Sequence, residues 1–398
     1  MAADVKYPPI HIPEPVLDIA RKLEGAGFEA WCVGGNLRDA FLDHPHSDYD
    51  IATSATPEQV QKLFPRTVEV GIKYGTVGVL DRARHLHEVT TFRRDVATDG
   101  RHAVVAYGVT LEEDLARRDF TINALAYHPL RHEWRDPFGG AADLAKQLVR
   151  AVGDPGQRFR EDYLRILRAV RFAARFEFTI DPATWEAAKA AAPVLTGLSA
   201  ERVRDEWFKS LRTARSVTQL LMLWVHVGAA RVWIPELEAA LPSQKAYPDP
   251  PLGDRDPVLL TALVCPSPVA VLRRLKASNA EIARAAGLER GPEEPRALDQ
   301  LSVRLWLADV GPAADDLSAL WALRHGGQAP WSAAMAEIRQ RKDPLSRGDL
   351  AIGGADLQEL GIQGPRIGET LATLLDRVLE DPTLNTREAL LAVARKRQ

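Results

Sequence analysis

The sequence predicts an α+β protein in which a mixed sheet with helices is followed by a long helical part. Residues 30–53 read as an apolar strand, a Gly-Gly turn, a short helix and a second apolar run. Two further strand candidates follow at 76–80 and 85–92. Beyond Ser199 the pattern becomes helical and is interrupted only at Pro- and Gly-rich breaks. The sheet therefore belongs to the N-terminal part of the chain.

Gly34 and Gly35 follow the first strand, and Asp48 and Asp50 lead into the next. Because glycine lacks a Cβ, a phosphate chain can approach the backbone N–H groups at the start of the helix that follows. Asp48 and Asp50 are two residues apart on a strand, so their carboxylates project from the same face. Paired oxygen ligands of this kind suit Mg²⁺. The segment predicts a phosphate site beside a magnesium site.

Each half of this pattern also has an ordinary structural explanation. Gly-Gly turns are common, and two aspartates at a strand end usually form a solvated edge. Together, with Arg38 and Asp39 between them, they resemble the nucleotidyltransferase signature of the polymerase β superfamily. The resemblance implies that Asp48 and Asp50 are catalytic.

Composition limits the class of protein. The chain has 398 residues, enough for two to four compact units. With 51 Lys and Arg against 54 Asp and Glu, net charge does not indicate a nucleic-acid partner. The two cysteines lie far apart, which indicates no disulfide framework and no zinc site and fits a reducing cytoplasm. No signal-like segment and no apolar stretch near the roughly 20 residues of a membrane span occurs, so we expect a soluble cytoplasmic protein without a membrane partner.

Glu88 is the candidate for a third catalytic carboxylate near the metals. In the strand candidate 85–92 it shares one face with Leu86 and Phe92. A carboxylate facing the same way as apolar neighbours is unusual, although an edge-strand glutamate in water would give the same pattern.

Two segments of less regular pattern follow the strands. Residues 95–109 mix glycine, charge and short apolar pieces without a clear period, and are predicted to form a mobile loop. Residues 111–125 begin acidic and contain Arg117 and Arg118. Such a charge run is usually a solvated helix, but a cation cluster after an aspartate pair can bind the phosphates and sugar of a nucleotide.

Six ordered motifs carry a family resemblance over about the first 210 residues. They are Gly34-Gly35-x-x-Arg38-Asp39, Asp48-x-Asp50, Arg117-Arg118-Asp119-Phe120-Thr121-Ile122-Asn123-Ala124, Asp136-Pro137-Phe138-Gly139-Gly140 with Asp143-Leu144, Glu161-Asp162-x-x-Arg165-x-x-Arg168-Ala169-x-Arg171-Phe172, and Ser199-Ala200-Glu201-Arg202 with Glu206. The set is similar to the class II family of bacterial tRNA nucleotidyltransferases and poly(A) polymerases. The remaining residues resemble the helical body and tail of that family only loosely.

The fifth motif has a chemistry of its own. At 100° per residue, Glu161 and the arginines 165, 168, 171 and 175 fall on one stripe of a helix, opposite an apolar face. A guanidinium can donate to a base edge, and a carboxylate can accept from an exocyclic amine. C and A both present that amine beside a ring-nitrogen acceptor, whereas U and G do not. Asp162 and Arg165 can therefore select C or A, and in the resembled family this pair reads the base. A salt-bridged surface helix is the alternative.

The resemblance implies template-independent addition of CCA, or at least its terminal A, from CTP and ATP to the 3′ end of tRNA. Asp48 and Asp50 would hold two Mg²⁺ ions. The nucleotide-binding candidates are Gly34, Gly35, Arg38, Arg118, Asn123, Asp162, Arg165, Arg168 and Arg171. A polymerase β-like head (1–133), a neck that recognises the base (134–207), a body (208–310) and a tail that binds tRNA (311–398) are expected. The alternatives are an A-adding-only enzyme, a poly(A) polymerase and an inactive RNA-binding protein.

Overall fold

The structure, a computed structural model, describes residues 6–44, 49–98, 103–240 and 246–396. Asp48, one of the two predicted catalytic aspartates, lies outside the described residues. The chain forms two compact units, Met1–Gly253 and Asp254–Gln398. Their boundary falls at the end of a proline-rich stretch. The finer division into head, neck, body and tail stays a prediction.

The first unit contains a sheet and the helices around it. Its strands are β1 (Ala30–Val33), β2 (Asp50–Thr53), β3 (Thr67–Gly71), β4 (Thr76–Leu80), β5 (Leu86–Thr91), β6 (Arg93–Thr98), β7 (Ala103–Tyr107), β8 (Ala126–His128), β9 (Glu133–Arg135), β10 (Leu148–Val149) and β11 (Thr179–Ile180). Its helices are α1 (Glu14–Gly25), α2 (Gly35–Phe41), α3 (Pro57–Leu63), α4 (Leu111–Ala116), α5 (Gly140–Ala145), α6 (Pro155–Glu161), α7 (Leu164–Phe176), α8 (Pro182–Ala191), α9 (Ala200–Thr213), α10 (Val217–His226), α11 (Ala229–Trp233) and α12 (Glu236–Ala240).

The second unit is helical throughout its described part. Its helices are α13 (Pro257–Val264), α14 (Pro268–Arg274), α15 (Asn279–Arg290), α16 (Gln300–Val310), α17 (Ala314–His325), α18 (Ser332–Arg341), α19 (Gly354–Glu359), α20 (Pro365–Glu380) and α21 (Arg387–Arg395). The last three pack around a core that includes Leu357, Leu374 and Leu390. Among all the helices of the described ranges, none has the length and apolarity needed to cross a membrane.

The main sheet is mixed, with strand order β3-β4-β5-β2-β1-β8-β9. Strand β2 runs parallel to β5 and antiparallel to β1, while β4 runs antiparallel to both of its neighbours. Together with the helical second unit, this mixed sheet confirms the predicted α+β class.

One face of the sheet is covered by helices. Val16, Ile19 and Leu23 of α1 are buried against it, in the core that also contains Ile51 and Val89. The apolar residues of α1 recur at helical spacing, so they form one face that packs on the sheet. Helix α3 begins with a capping box, in which Thr56 and Gln59 satisfy each other's backbone N–H groups. The opposite face carries Asp50 and Glu88. Leu111 and Leu115 of α4 cover part of it, in a core with Val33 and Ala52, and the uncovered part is available for a site.

The prediction of a loop at 95–109 is wrong for its described part. Strands β6 and β7 pair antiparallel there, from Arg93 opposite Tyr107 to Thr98 opposite Ala103, with an irregularity near Asp95. The charged residues and the irregular register obscure the period-2 pattern in the sequence. Each strand is stabilised by pairing with the other strand, which the local sequence does not reveal. A Cβ on Gly75 would lie 2.9 Å from the ring of Tyr107. The hairpin therefore packs close to the turn before β4.

The prediction of a single helix that carries the arginine stripe from Glu161 onward is also wrong at the start of that helix. Helix α6 ends at Glu161, Asp162 has extended dihedrals, and α7 begins at Leu164. Asp162 is held by its own chain, since its Oδ1 accepts from Leu164 N at 3.0 Å. An aspartate that bonds the backbone two residues later competes with helix, which explains the break.

Gly140, at the start of α5, allows this helix to pack closely on the turn that carries Asn123. A Cβ on this residue would lie 2.2 Å from the carbonyl oxygen of Thr121, a backbone atom that cannot move aside easily. Thr121 begins the short turn that carries Asn123, and its hydroxyl donates to Asp143 of α5 at 2.6 Å. Close packing of α5 on this turn therefore sets the position of Asn123.

Gly140→Ala is expected to destabilise the protein by about 2 kcal/mol, because overpacking a backbone contact forces the turn outward. Urea denaturation measures this change. Gly25→Ala is the matched control, since it also lies in a helix and its Cβ would meet nothing within 4 Å. Equal stability of the two variants would contradict the packing argument.

Candidate active site

A cavity of about 570 Å³ opens on the uncovered part of the sheet face that carries Asp50 and Glu88. Its lining residues come from β1, the glycine turn, α2, β2, β4, β5, β6, the 117–123 segment, Asp162 between α6 and α7, α7 and α9. They are Val33, Gly34, Gly35, Arg38, Asp50, Thr76, Glu88, Thr90, Arg93, Arg117, Arg118, Asp119, Asn123, Asp162, Leu164, Arg165, Arg168, Arg171, Phe172, Arg175 and Arg202. Every described residue predicted for the site is in this set. Their individual roles stay predictions.

The glycine turn leaves space between opposite charges. Gly34 has φ +88, and a Cβ there would lie 3.3 Å from Asp50 Oδ2 and 3.6 Å from Arg118 Nη1. Any other residue would be strained and would project between this carboxylate and this guanidinium. The absence of a side chain at Gly34 therefore keeps the N-terminus of α2 accessible from the cavity.

The carboxylates reach the cavity through the sheet register. Val33 pairs with Asp50, and Ile51 pairs with Val89. Since Ile51 and Val89 are buried in the core, Asp50 and Glu88 face the other way, into the cavity. Their hard oxygen donors are chemically suited to a divalent cation. Within the described ranges, which omit Asp48, no group of three or more His, Cys, Asp or Glu side chains is arranged to hold a metal.

A chain of hydrogen bonds crosses the back of the cavity. Arg38 donates to Asn123 Oδ1 at 2.6 Å, and Asn123 Nδ2 donates to Asp119 Oδ1 at 3.0 Å. Asp119 Oδ2 in turn accepts from Arg168 Nε at 2.8 Å. This chain joins α2 to α7 through the turn after Arg118. Arg38 and Asn123 are thereby fixed before any ligand binds.

A second set of contacts closes the chain into a ring. Asp39 accepts from Arg38 at 2.8 and 2.9 Å and from Arg175 of α7 at 3.2 Å. The guanidinium of Arg38 also lies over the rings of Phe172 and Phe176, 5.1 and 4.8 Å from their centroids. Burial lowers the pKa of Arg38, which Asp39 opposes. The ring of charges holds α2 and α7 in one fixed geometry.

The predicted base-reading pair is also held in place. Asp162 Oδ2 accepts from Arg202 of α9 at 2.7 Å. Arg165 donates to Glu161 at 2.8 Å, to Arg158 O at 3.2 Å and to Arg117 O at 2.9 Å. These bonds use three of the five N–H groups of Arg165, and each carboxylate oxygen of Asp162 keeps a lone pair. Both side chains are oriented and retain hydrogen-bonding capacity toward the cavity.

Several lining residues were not singled out from the sequence as site residues, among them Asp119, Arg93 and Arg202. Asp119 and Arg202 belong to the motifs at 117–124 and 199–206, so the family resemblance could have identified them as site residues. No feature of the sequence points to Arg93, because only the strand pairing brings it to the cavity. Arg171 was singled out, and the structure pairs it with buried Glu206 of α9.

The cavity is strongly cationic. Nine arginines line it, against the four carboxylates of Asp50, Glu88, Asp119 and Asp162. Positive charge at this density attracts a polyanion, and the low-dielectric walls strengthen the field. A nucleoside triphosphate and the end of an RNA strand are ligands of this charge.

Asp119 is the most perturbed acid of the ring. Burial raises its pKa, but the charge of Arg168 and the hydrogen bonds from Asn123 and Arg168 outweigh burial, so its pKa falls from 3.8 to about 2. Because its pKa is lowered in the folded state, ionised Asp119 stabilises the fold above pH 3.8, and this stabilisation is lost as the pH falls toward 2. A lowering of this size corresponds to about 2 kcal/mol at neutral pH.

Asp119→Asn is expected to destabilise the protein by about 3 kcal/mol at pH 7, because Arg168 loses its buried partner. The difference from wild type should shrink by about 1 kcal/mol between pH 6 and pH 3, as the wild-type contribution is lost. Urea denaturation across this range measures both. Asp205→Asn, at an exposed pair with Arg204, serves as control. A difference that is constant with pH would contradict the assigned pKa.

Comparison with known proteins places the chain in a family. The family model described as "Poly A polymerase head domain" matches residues 30–150, and the one described as "Probable RNA and SrmB- binding site of polymerase A" matches residues 177–241. The CCA-adding enzyme of Streptococcus mutans is 47% identical over 207 residues, which is 51% of each chain. The CCA-adding enzyme of Latilactobacillus sakei is 37% identical over 391 residues, covering 95% of this chain and 97% of the relative.

A solved structure agrees with these matches. The crystal structure of the Bacillus stearothermophilus CCA-adding enzyme in complex with CTP has a TM-score of 0.84 and 32% identity, and the match covers 96% of this chain and 97% of that one. The similarity extends well beyond the first 210 residues that carry the motifs. The resemblance seen in the sequence is thereby confirmed, and the chain belongs to the CCA-adding enzyme family of tRNA nucleotidyltransferases.

Proposed function

We propose that this chain adds CCA, and at least its terminal A, to the 3′ end of tRNA without a nucleic-acid template, using CTP and ATP and releasing pyrophosphate. The observation that supports this most directly is one cavity in which a glycine turn, two carboxylates on a sheet face and nine arginines meet. The relative from Bacillus stearothermophilus, of matching fold, was solved in complex with CTP. A cytoplasmic location stays a prediction.

The phosphates would lie at the glycine turn. Gly34 and Gly35 present backbone without side chains, and Arg118 lies beside Asp50 at that turn. Arg38 supports the turn from behind through Asp39 and Asn123. A rigid cationic surface of this kind holds a triphosphate in one orientation and stabilises the charge that develops on the departing pyrophosphate.

The reacting ribose would lie over Asp50 and Glu88. The carboxylates of Asp50 and Glu88, with Asp48 predicted from the sequence as a further ligand, would hold a divalent cation, which members of nucleotidyltransferase families generally use, and Mg²⁺ is the ion we propose. Bound there, Mg²⁺ would lower the pKa of the ribose 3′-OH and neutralise the triphosphate. The chain's own contribution is to fix the carboxylates on adjacent strands, β2 and β5, so that the sheet sets their separation.

The base would be read by Asp162 and Arg165. C and A each offer an exocyclic amine next to a ring-nitrogen acceptor, which matches a carboxylate beside a guanidinium. Arg202 holds Asp162, and Glu161 and two backbone carbonyls hold Arg165. Because both are restrained by protein, U and G would meet mismatched groups that cannot rotate away.

The function is tested by incubating the protein with tRNA ending at the discriminator base, at C or at CC, with each NTP separately. We expect C on the first two substrates and A on the third, and no incorporation by Asp50→Asn, which should still bind tRNA. Addition of A alone would identify an A-adding enzyme, and long A tracts a poly(A) polymerase. Absence of turnover by the wild type, with tRNA binding intact, would indicate an RNA-binding protein.

Arg165→Ala is expected to reduce discrimination against UTP and GTP at least tenfold, because a good base contact is worth roughly 1 to 3 kcal/mol. Ratios of kcat/KM for the four nucleotides measure it. Arg160→Ala, which removes an exposed arginine of the neighbouring helix α6, should leave these ratios unchanged. Intact discrimination in Arg165→Ala would place base reading elsewhere.

A further inference from the structure

The sheet face that carries Asp50 and Glu88 continues beyond the cavity to the edge of the sheet. Glu88 of β5 pairs with Gly78 of β4, and Gly78 pairs with Val68 of β3. Residues paired directly across strands project from the same face. The floor of the cavity therefore extends over β4 and β3, and β3 is the last strand in the described sheet.

This extension is apolar and exposed. Val68, Val70 and Leu86 are 43%, 44% and 46% exposed, although they are large hydrophobic residues. Gly78 lies between them, where a Cβ would be 2.5 Å from Leu86 Cδ1 and 2.8 Å from Val70 Cγ2. With no side chain at Gly78, the surrounding side chains meet over it. We call Val68, Val70, Gly78 and Leu86 the apolar shelf.

Positive charge lies at the outer end of the shelf. Arg66 immediately precedes β3, and Arg82 and Arg84 lie in the turn between β4 and β5. Leu80 N donates to Arg66 O at 3.0 Å, which brings the two regions together. All three arginines are exposed, and Arg66 and Arg82 also line a second cavity together with the carboxylates of Asp18 and Asp81. Apolar surface beside exposed arginines suits a single-stranded nucleic acid, whose base faces can be buried on aliphatic side chains and whose phosphates are anionic.

The predicted nucleotide elements lie away from the shelf. The glycine turn follows β1, which is four strands from β3 in the sheet. Arg165 donates to Arg117 O, and Arg117 donates to Arg93 O just beyond the C-terminal end of β5, whereas Leu86 of the shelf begins that strand. An enzyme that joins two substrates at Asp50 and Glu88 must receive the nucleotide from one side and the strand to be extended from the other, which leaves the shelf for the strand.

We propose that the apolar shelf binds the last nucleotides of the RNA strand that is being extended. This rests on the proposed function. Val68 is two strand spacings from Glu88, roughly 10 Å, which is the length of about three stacked bases. Terminal bases pack on Val68, Val70 and Leu86, and the arginines at 66, 82 and 84 lie near the preceding phosphates. The terminal 3′-OH then points toward Asp50 and Glu88.

The test is the double variant Val68→Ser/Leu86→Ser, assayed with tRNA ending in CC. Loss of the apolar surface is expected to raise the KM for tRNA about tenfold. The KM for ATP and the circular dichroism spectrum should not change. The matched control is Glu69→Ser, on the same strand but opposite Val77 and so on the other face. It should behave as wild type.

An unchanged KM for tRNA in a folded double variant would overturn the proposal. A change from dimer to monomer with the KM for tRNA unchanged would overturn it too, because the shelf would then bind a second copy of the chain. Direct binding of CC-ending tRNA separates this inference from the proposed function. Wild type without turnover would contradict the function, whereas equal RNA affinity of wild type and double variant would contradict the shelf.

Discussion

The ion pair between Asp119 and Arg168 is the contact on which the geometry of the site depends. Asp119 is buried, and its charge is tolerated because Arg168, Asn123 and the backbone N–H of Phe120 satisfy it. Removing either partner would leave a charge in a medium of low dielectric constant, which is costly. Through Asn123 the same pair fixes Arg38 of α2, the helix that begins directly after Gly34. One buried pair thus aligns the predicted phosphate side of the cavity with α7, which carries the arginines predicted to read the base.

The excess of arginines lining the cavity is tolerated because further carboxylates lie behind the lining and pair with several of these arginines. Asp39, Asp114, Glu161 and Glu206 lie behind the lining and pair with Arg38, Arg117, Arg165 and Arg171, in that order. Burial would raise the pKa of Asp114, but Arg117 and Arg118 lower it and keep it ionised. The guanidinium groups are therefore held in place without being fully neutralised. A site of this kind binds a polyanion with little rearrangement, because its dipoles and charges are already oriented.

The order of elements across the sheet gives the site two directions. The glycine turn follows β1, the carboxylates stand on β2 and β5, and the exposed apolar surface lies on β4 and β3. Since strand spacing is nearly constant, these features are separated by fixed distances of about 5 Å per strand. The sheet thus sets the distances between these features, while α7 and α9 carry the residues predicted to select the base.

The sequence alone determined the local features. Strand patterns located β1, β4 and β5, and the glycine pair and the arginine spacing indicated a phosphate site beside a helix predicted to read the base. These follow from interactions between residues a few positions apart. Tertiary structure decided what joins them: Arg38 meets Asn123 85 positions away, Arg175 meets Asp39 136 positions away, and Arg202 meets Asp162 40 positions away. It also decided that residues 93–107 pair as a hairpin and that Asp162 interrupts the helix. Local spacing fixes which face a side chain occupies, but the partner of a buried charge depends on how distant segments pack, because only burial makes that partner necessary.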